Sequence, residues 1–274
     1  MSFFRFPGGK SKLKKYIFDK ISSECGIKYY REPFFGGGSI GLDFISRKKM
    51  DKIWINDKDF PLSCLWNSVI NNKSILKYFV REFNPSVDKF FEYKEHLLNN
   101  PVAKIGSYES VKIGFEKLAI HQISYSGLGV KSGSPLGGKE QNSKYKIDCR
   151  WSPQHICKKI DEYNKLFSNQ KIHKGICTSY DFEYVIKYNK NKSIIYLDPP
   201  YFIKGSELYQ YSFNVDDHIR LCDLLKKTKH YWVLSYDDCC EVRDLYSWAK
   251  IQECVVTYSI NGAVDKNELI ICQK

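Results

Sequence analysis

The chain has 274 residues, and its 43 Lys and Arg outnumber 31 Asp and Glu, giving a formal net charge of +12 at pH 7. Its hydrophobic share of 43% is that of a globular protein, long enough for one large domain or one domain with an inserted module. The sequence contains no run of eighteen apolar residues and no signal-peptide pattern, so we predict no membrane contact and a cytoplasmic location.

The ten cysteines are scattered singly apart from Cys239 and Cys240, and no Cys-x-x-Cys pair occurs. This pattern favours reduced, buried thiols over disulfides, and we predict no metal site.

The first glycine motif is Phe6-Pro7-Gly8-Gly9-Lys10, and it precedes apolar residues at four-residue spacing from Leu13. That spacing predicts a helix opened by the glycines. The amides at the start of such a helix, together with Lys10, can hold a carboxylate. A plain helix start is the alternative interpretation.

Residues 27–33 read as a strand, residues 34–39 as a glycine loop, and residues 40–47 as a helix. A second strand, residues 52–56, ends before Asp57, nineteen residues after Gly38. Strand, glycine loop and helix in this order form a nucleotide-type site, and an acid near this spacing accepts both hydroxyls of a ribose. The combination predicts an adenosine-containing cofactor.

Residues 72–171 lack the strand and helix alternation, and we predict an inserted α-rich domain with Phe79, Phe83, Phe90 and Phe91 in its core. Between residues 102 and 174, thirteen Lys and Arg face six Asp and Glu. That surplus favours a polyanionic partner, the alternative being a solvated basic face.

The centre of this region, residues 124–139, is rich in glycine and predicts an exposed, adaptable loop. We expect a short strand over residues 145–151. We predict that Tyr125 stacks on bases and that Lys131 and Lys139 contact phosphates. Arg150 is the residue predicted to read a guanine. Arg150 has an alternative role, bracing the insert beside Asp148 and Trp151.

After residue 171 the α/β pattern returns, with a short strand leading to Asp181, a helix around residues 184–188, and a buried strand over residues 193–197. A helix over residues 216–227 is predicted to bury Ile219, Leu224 and Leu225. Further strands are predicted over residues 231–235 and 268–272.

The buried strand ends in Asp198, Pro199, Pro200 and Tyr201. Two prolines cannot continue a sheet ladder, so they force an extended turn with outward carbonyls. A carboxylate, fixed carbonyls and an aromatic plate suit an amino group on a planar heterocycle: the acceptors hold its hydrogens and free its lone pair to attack. An ordinary strand end is the alternative.

Taken together, residues 6–10, 32–38, 56–57 and 198–201 resemble the signature set of Dam-like DNA adenine methyltransferases, and the order of the motifs resembles the α group of bacterial and phage enzymes. The resemblance implies S-adenosylmethionine as cofactor and a Rossmann-like sheet with helices on both faces. It implies catalytic roles for Asp198, Pro199, Pro200 and Tyr201. It also implies cofactor-binding roles for Phe6, Lys10, Glu32, Phe34, Gly36, Gly38, Asp57, Asp181 and Asp198.

Within that set, the resemblance assigns Lys10 to the methionine carboxylate, Asp57 to the ribose and Asp181 to the cofactor adenine. It assigns Phe34, Gly36 and Gly38 to the methionine pocket. The implied domains are a catalytic one, residues 1–71 plus 172–274, and a target-recognition insert, residues 72–171. The implied substrate is a flipped adenine in double-stranded DNA, and a cognate restriction endonuclease is a candidate partner. An RNA or cytosine amino-methyltransferase, or a catalytically silent DNA-binding homologue, are the rival interpretations.

Overall fold

The computed structural model describes residues 10, 13–22, 26–48, 50–203, 205, 210–258 and 264–273. The helices are α1 (Lys14–Ser22), α2 (Ser39–Arg47), α3 (Phe60–Asn71), α4 (Lys73–Glu82), α5 (Val87–Leu98), α6 (Tyr108–Ile123), α7 (Pro153–Ser168), α8 (Phe182–Lys187), α9 (Val215–Lys227) and α10 (Cys240–Leu245). The strands are β1 (Tyr29–Glu32), β2 (Lys52–Ile55), β3 (Ile194–Leu197), β4 (Tyr231–Asp237), β5 (Lys250–Tyr258) and β6 (Val264–Cys272).

The six described strands form one sheet in the order β2-β1-β3-β4-β6-β5. The first four are parallel, whereas β6 runs antiparallel between β4 and β5. Beyond β2, isolated parallel bridges join Ile53 to Ile172 and Asn56 to Thr178. The strand order reverses between β1 and β3, and such a switch point leaves a crevice at the carboxyl ends of the strands. The mixed α/β fold predicted from the sequence is therefore present.

Residues 73–171 carry helices α4 to α7 and contribute no strand to the sheet. Helix α6 packs closely against α3: a Cβ built on Gly114 would lie 2.6 Å from the backbone nitrogen of Leu65. Only glycine fits such an approach without displacing one helix. The helical region is consequently joined to the sheet layer by a tight helix-to-helix contact.

Several local predictions are wrong. Residues 145–151 form turns and bends rather than a strand. Trp151, at the end of this segment, packs edge-on against Phe83, and the segment pairs with no neighbouring strand. Ile219 is 43% exposed because α9 buries its His218, Leu221, Cys222 and Leu225 face. Phe91 is 37% exposed because the buried face of α5 is formed by Phe90, Tyr93 and Leu97.

The glycine-rich segment also differs from its prediction. Val130 and Leu136 are buried, and two short 3-10 turns cover residues 125–127 and 129–131. Tyr125 nevertheless projects outward with 60% of its surface exposed. The segment is thus an anchored loop with an exposed aromatic tip. Among the described residues, no helix has the length and apolarity needed to span a membrane.

Candidate active site

Lys10 lies at the centre of the site, with 2% of its surface exposed. Its Nζ donates to the Tyr201 hydroxyl at 2.7 Å and lies 2.8 Å from Glu268 Oε2 and 3.3 Å from Asp198 Oδ1. A buried ammonium needs compensating anions because its removal from water is costly. Two carboxylates and one hydroxyl therefore hold this cation at the end of β3.

Asp198 follows β3 directly and is held from a second side by β4. Ser235 donates to Asp198 Oδ1 at 3.0 Å, and the hydroxyls of Ser235 and Tyr196 lie 2.9 Å apart. Burial and the nearby charge of Glu268 raise the pKa of Asp198, and the charge of Lys10 lowers it. The net shift is upward. The carboxyl is thus fixed in place and has more affinity for a proton than an exposed aspartate.

Tyr201 joins the tetrad to the last strand. Its hydroxyl donates to Glu268 Oε1 at 3.0 Å, and Glu268 lies on β6 with 2% exposure. The chain that follows is fixed by Asp237 at the end of β4, which accepts from the backbone nitrogens of Phe202 at 2.9 Å and Ile203 at 3.1 Å. Both sides of the Pro199-Pro200 turn are therefore anchored.

The glycine loop and Asp57 form a second group at the same edge of the sheet. The backbone nitrogen of Gly36 donates to Asp57 Oδ2 at 2.7 Å, and that of Asp59 donates to Oδ1 at 2.9 Å. Gly36 and Gly38 have φ of 49° and 67°, a region that favours glycine. Burial and the nearby charge of Asp59 raise the pKa of Asp57 to about 7.

Asp181 and Phe34 lie beside this group. Asp181 caps α8 by accepting from the backbone nitrogen of Glu183, and Arg220 pairs with both its oxygens, at 2.9 Å and 3.2 Å. Burial raises the pKa of Asp181, but the hydrogen bonds from Arg220 and Glu183 lower it by a larger amount together, so the net shift is downward. Phe34 packs against Phe182 at 5.6 Å between ring centres. Its ring therefore adjoins the segment that carries Asp181.

Glu32, at the end of β1, lies against the first turn of α2. Its carboxyl accepts from the Tyr30 hydroxyl at 2.7 Å, and a Cβ on Gly41 would lie 2.1 Å from Glu32 Oε2. Burial raises the pKa of Glu32 well above its ordinary value. Phe6, the remaining predicted cofactor residue, lies outside the described residues.

The predicted DNA-contacting residues lie in the helical region. Tyr125, Lys131, Lys139 and Arg150 all have exposed side chains. Lys139 Nζ lies 5.3 Å from the ring centre of the partly exposed Phe91. No group of three or more His, Cys, Asp or Glu with metal-binding geometry occurs in the portion of the chain that the structure describes.

Three residues of the site were missed by sequence reasoning. Glu268 is an acid in the apolar closing strand, Ser235 is a hydroxyl in a buried strand, and Asp237 is an acid at a strand end. Only Ser235 interrupts an apolar stretch, and that break is a signal that could have found it, since a buried polar group needs a partner. Glu268 follows three polar residues and Asp237 precedes another acid, so neither stands out in the sequence.

The fold and the two groups at the sheet edge define a class: an α/β enzyme with a nucleotide-type glycine loop beside an acid-and-aromatic centre. Residues 6–260 match the family model of D12 class N6 adenine-specific DNA methyltransferases. The chain therefore belongs to that family, and it is an enzyme that methylates adenine in DNA.

Two curated proteins are similar over most of their lengths. The type II methyltransferase M.MjaIII of Methanocaldococcus jannaschii is 27% identical over 246 residues, covering 82% of this chain and 79% of the relative. The type II methyltransferase M.CviBI of Paramecium bursaria Chlorella virus NC1A is 23% identical over 244 residues, covering 88% and 85%. The similarity thus extends across the helical region as well as the sheet.

Proposed function

We propose that the chain transfers a methyl group from S-adenosylmethionine to N6 of an adenine extruded from duplex DNA, with Asp198, Pro199, Pro200 and Tyr201 forming the reaction centre. The observation that carries this proposal is the meeting of Asp198, Tyr201 and Lys10 at the sheet edge that also holds the glycine loop and Asp57.

The residues around Asp57 fit the ribose of such a cofactor. Each oxygen of Asp57 accepts one backbone N–H, which leaves lone pairs on both oxygens for two hydroxyl donors. Gly36 and Gly38 keep side chains away from the loop, so a ligand can approach its backbone. Phe34 packs on Phe182, the residue after Asp181, and this pair of residues suits the cofactor, Phe34 by apolar contact and Asp181 by hydrogen bonding to the adenine.

Lys10 is the candidate partner for the methionine carboxylate. Its buried ammonium already lies near Asp198 and Glu268, so a ligand carboxylate would share this cation with them. When bound, the cofactor supplies an electrophilic methyl group on a sulfonium. Phe6 belongs to the same motif as Lys10, and Glu32 precedes the glycine loop and supports the start of α2.

Asp198 and the Pro199 carbonyl are the acceptors for the two N6 hydrogens of the target adenine. Holding both hydrogens directs the nitrogen lone pair toward the methyl group, and orientation of this kind supplies a large share of the acceleration. N6 would gain a bond to the methyl carbon as the bond from that carbon to the sulfonium sulfur breaks, the sulfur leaving as a neutral thioether, and N6 would lose one proton. The raised pKa of Asp198 suits that residue to receive the proton. Tyr201 stacks on the extruded base, which offsets part of the unpairing free energy.

Residues 72–171 are proposed as the DNA-recognition domain inserted in the catalytic domain formed by residues 1–71 and 172–274. The exposed Tyr125 suits stacking, and the exposed Lys131 and Lys139 suit phosphate contacts. Arg150 suits guanine readout because it is exposed, while its neighbour Trp151 packs inside the insert against Phe83. Because both relatives are named type II methyltransferases, we propose a specific target sequence, with a cognate restriction endonuclease as candidate partner.

The test is a methylation assay with labelled S-adenosylmethionine on duplex DNA and on RNA, followed by nucleoside analysis and methylation-aware sequencing. We expect N6-methyladenine at one short sequence in duplex DNA. Asp198→Ala should abolish transfer while the protein stays folded and binds DNA. Labelled RNA, labelled cytosine, or DNA binding without any transfer would each contradict the proposal and favour one of the rival functions.

A further inference from the structure

Helix α6 contributes a buried lysine to the acid group at the end of β2. Lys117 has 3% of its surface exposed, and its Nζ lies 2.5 Å from Asp59 Oδ2. Asp59 caps α3 through its other oxygen, which accepts from the backbone nitrogen of Leu62 at 3.1 Å. A buried ammonium in this position is present only because an acid compensates it.

Asp59 in turn holds Asp57. The backbone nitrogen of Asp59 donates to Asp57 Oδ1, so the pair shares one short loop between β2 and α3. The charge of Asp59 raises the pKa of Asp57, and the charge of Lys117 lowers it. The side chain on α6 therefore acts on Asp57 in two ways: it fixes the loop through Asp59 and it favours the carboxylate form.

Lys58, which separates the two acids in the chain, is exposed to solvent. The groups whose charges are coupled to that of Asp57 are Asp59 on its own loop, Lys117 from α6, Glu32 from β1, Cys177 from the segment bridged to β2, and Tyr211 from the segment before α9. Among these described groups, Lys117 alone carries a positive charge. An acid that must accept two hydroxyl donors works as a carboxylate. Lys117 favours that form in addition to the two backbone hydrogen bonds that Asp57 accepts from Asp59 and Gly36.

We propose that Lys117 is a positioning residue for cofactor binding: it is a cation supplied by the helical region that holds Asp59 and presents the Asp57 carboxylate to the ribose. The inference rests on the proposed ribose role of Asp57. Lys117 also links the cofactor site physically to the proposed DNA-contacting loop, because its helix α6 continues directly into the loop that carries Tyr125.

The experiment measures the dissociation constant of S-adenosylhomocysteine by calorimetry from pH 5.5 to 9 for the wild type and Lys117→Met. Loss of the Lys117 charge raises the pKa of Asp57, and one unit is about the upper bound because Lys117 pairs directly with Asp59. Binding should therefore weaken by up to about fivefold at pH 7 and by less than twofold at pH 9. Lys117→Arg keeps the charge and should keep the wild-type pH profile.

Two further variants separate electrostatics from packing. The double variant Lys117→Met with Asp59→Asn removes both charges, keeps an oxygen to cap α3, and leaves no unpaired buried ion. It should bind within about threefold of wild type at pH 7. Lys77→Met is the matched control, because Lys77 pairs with Asp161 between α4 and α7 at 2.5 Å and does not face Asp57.

The outcomes distinguish the inference from the function on which it rests. If Asp57→Asn binds the ligand as well as wild type does, the ribose role of Asp57 fails. If Asp57→Asn weakens binding but Lys117→Met keeps the wild-type pH profile, the role of Lys117 alone is wrong. A double variant as weak at pH 9 as at pH 7 would overturn the inference even where the single variant does not fold, because it would show a loss of packing.

Discussion

Tyr201 and Glu268 are joined by a hydrogen bond of 3.0 Å, although 67 positions separate them in the chain. The same carboxylate lies 2.8 Å from the Lys10 ammonium through its other oxygen. A carboxylate that bridges a cation and a tyrosine hydroxyl fixes the orientation of both. Glu268 is therefore the residue through which β6 controls the geometry of the reaction centre.

The first prediction concerns this bridge. Glu268→Gln keeps the size of the side chain but replaces a charge-assisted contact, which contributes about 1.5 to 3 kcal/mol, with a neutral one. We expect the rate of methyl transfer to fall about tenfold to a hundredfold, with DNA affinity unchanged. Single-turnover kinetics and DNA titrations measure the two effects. A variant with the wild-type rate would show that Lys10 and Asp198 suffice to orient Tyr201.

The second prediction is a pH dependence of cofactor binding. The pKa of Asp57 is about 7 because of burial first and the charge of Asp59 second, and ribose binding uses the carboxylate. Affinity should level off above about pH 8 and fall about fivefold between pH 7 and pH 6. Calorimetry over this range measures it. Asp57→Asn, which does not titrate, should bind weakly at every pH; a sloping profile in that variant would assign the titration to another group.

The third prediction concerns the contact between α3 and α6. Gly114→Ala should lower the free energy of unfolding by about 1 to 3 kcal/mol, because the new Cβ would meet the Leu65 backbone. A Gly-to-Ala change without such a clash would instead stabilise a helix by up to about 1 kcal/mol. The sign of the change in the free energy of unfolding therefore tests the contact by itself. Gly133→Ala is the control, since no atom lies within 4 Å of its added Cβ. Urea unfolding measures both.

The fourth prediction separates positioning from reading of the DNA. Lys139→Ala should weaken binding equally on all duplexes and reduce the salt slope by about one, and Arg150→Ala should cost about 1 to 3 kcal/mol on the cognate site alone. Competition binding with cognate and scrambled duplexes measures both. Equal weakening on the two duplexes together with a lower melting temperature would instead assign Arg150 to bracing the insert.

Sequence reasoning located the parts of the site that are local in the chain. The strand ending at Asp198, the glycine loop and Asp57 each follow from a short pattern, and the family comparison supports the function that the patterns predict. It did not find Glu268 or Ser235, because their partners lie 67 and 37 positions away and no short pattern encodes such a pairing.

The errors within the helices have a similar origin. Apolar residues such as Phe91 and Ile219 satisfy a helical pattern, but only the neighbouring elements decide which side of a helix is covered. The strand predicted for residues 145–151 failed because β-forming residue types do not provide a pairing partner.

The position of β6 has a consequence for the time at which the reaction centre is completed. Both neighbours of β6 in the sheet, β4 and β5, precede it in the chain, so a growing polypeptide exposes the paired edges of both until β6 has been made. Lys10, synthesised early, lacks Glu268 until that moment. The contacts that orient Tyr201 and Lys10 through Glu268 are therefore completed only when β6 has been made and has paired with β4.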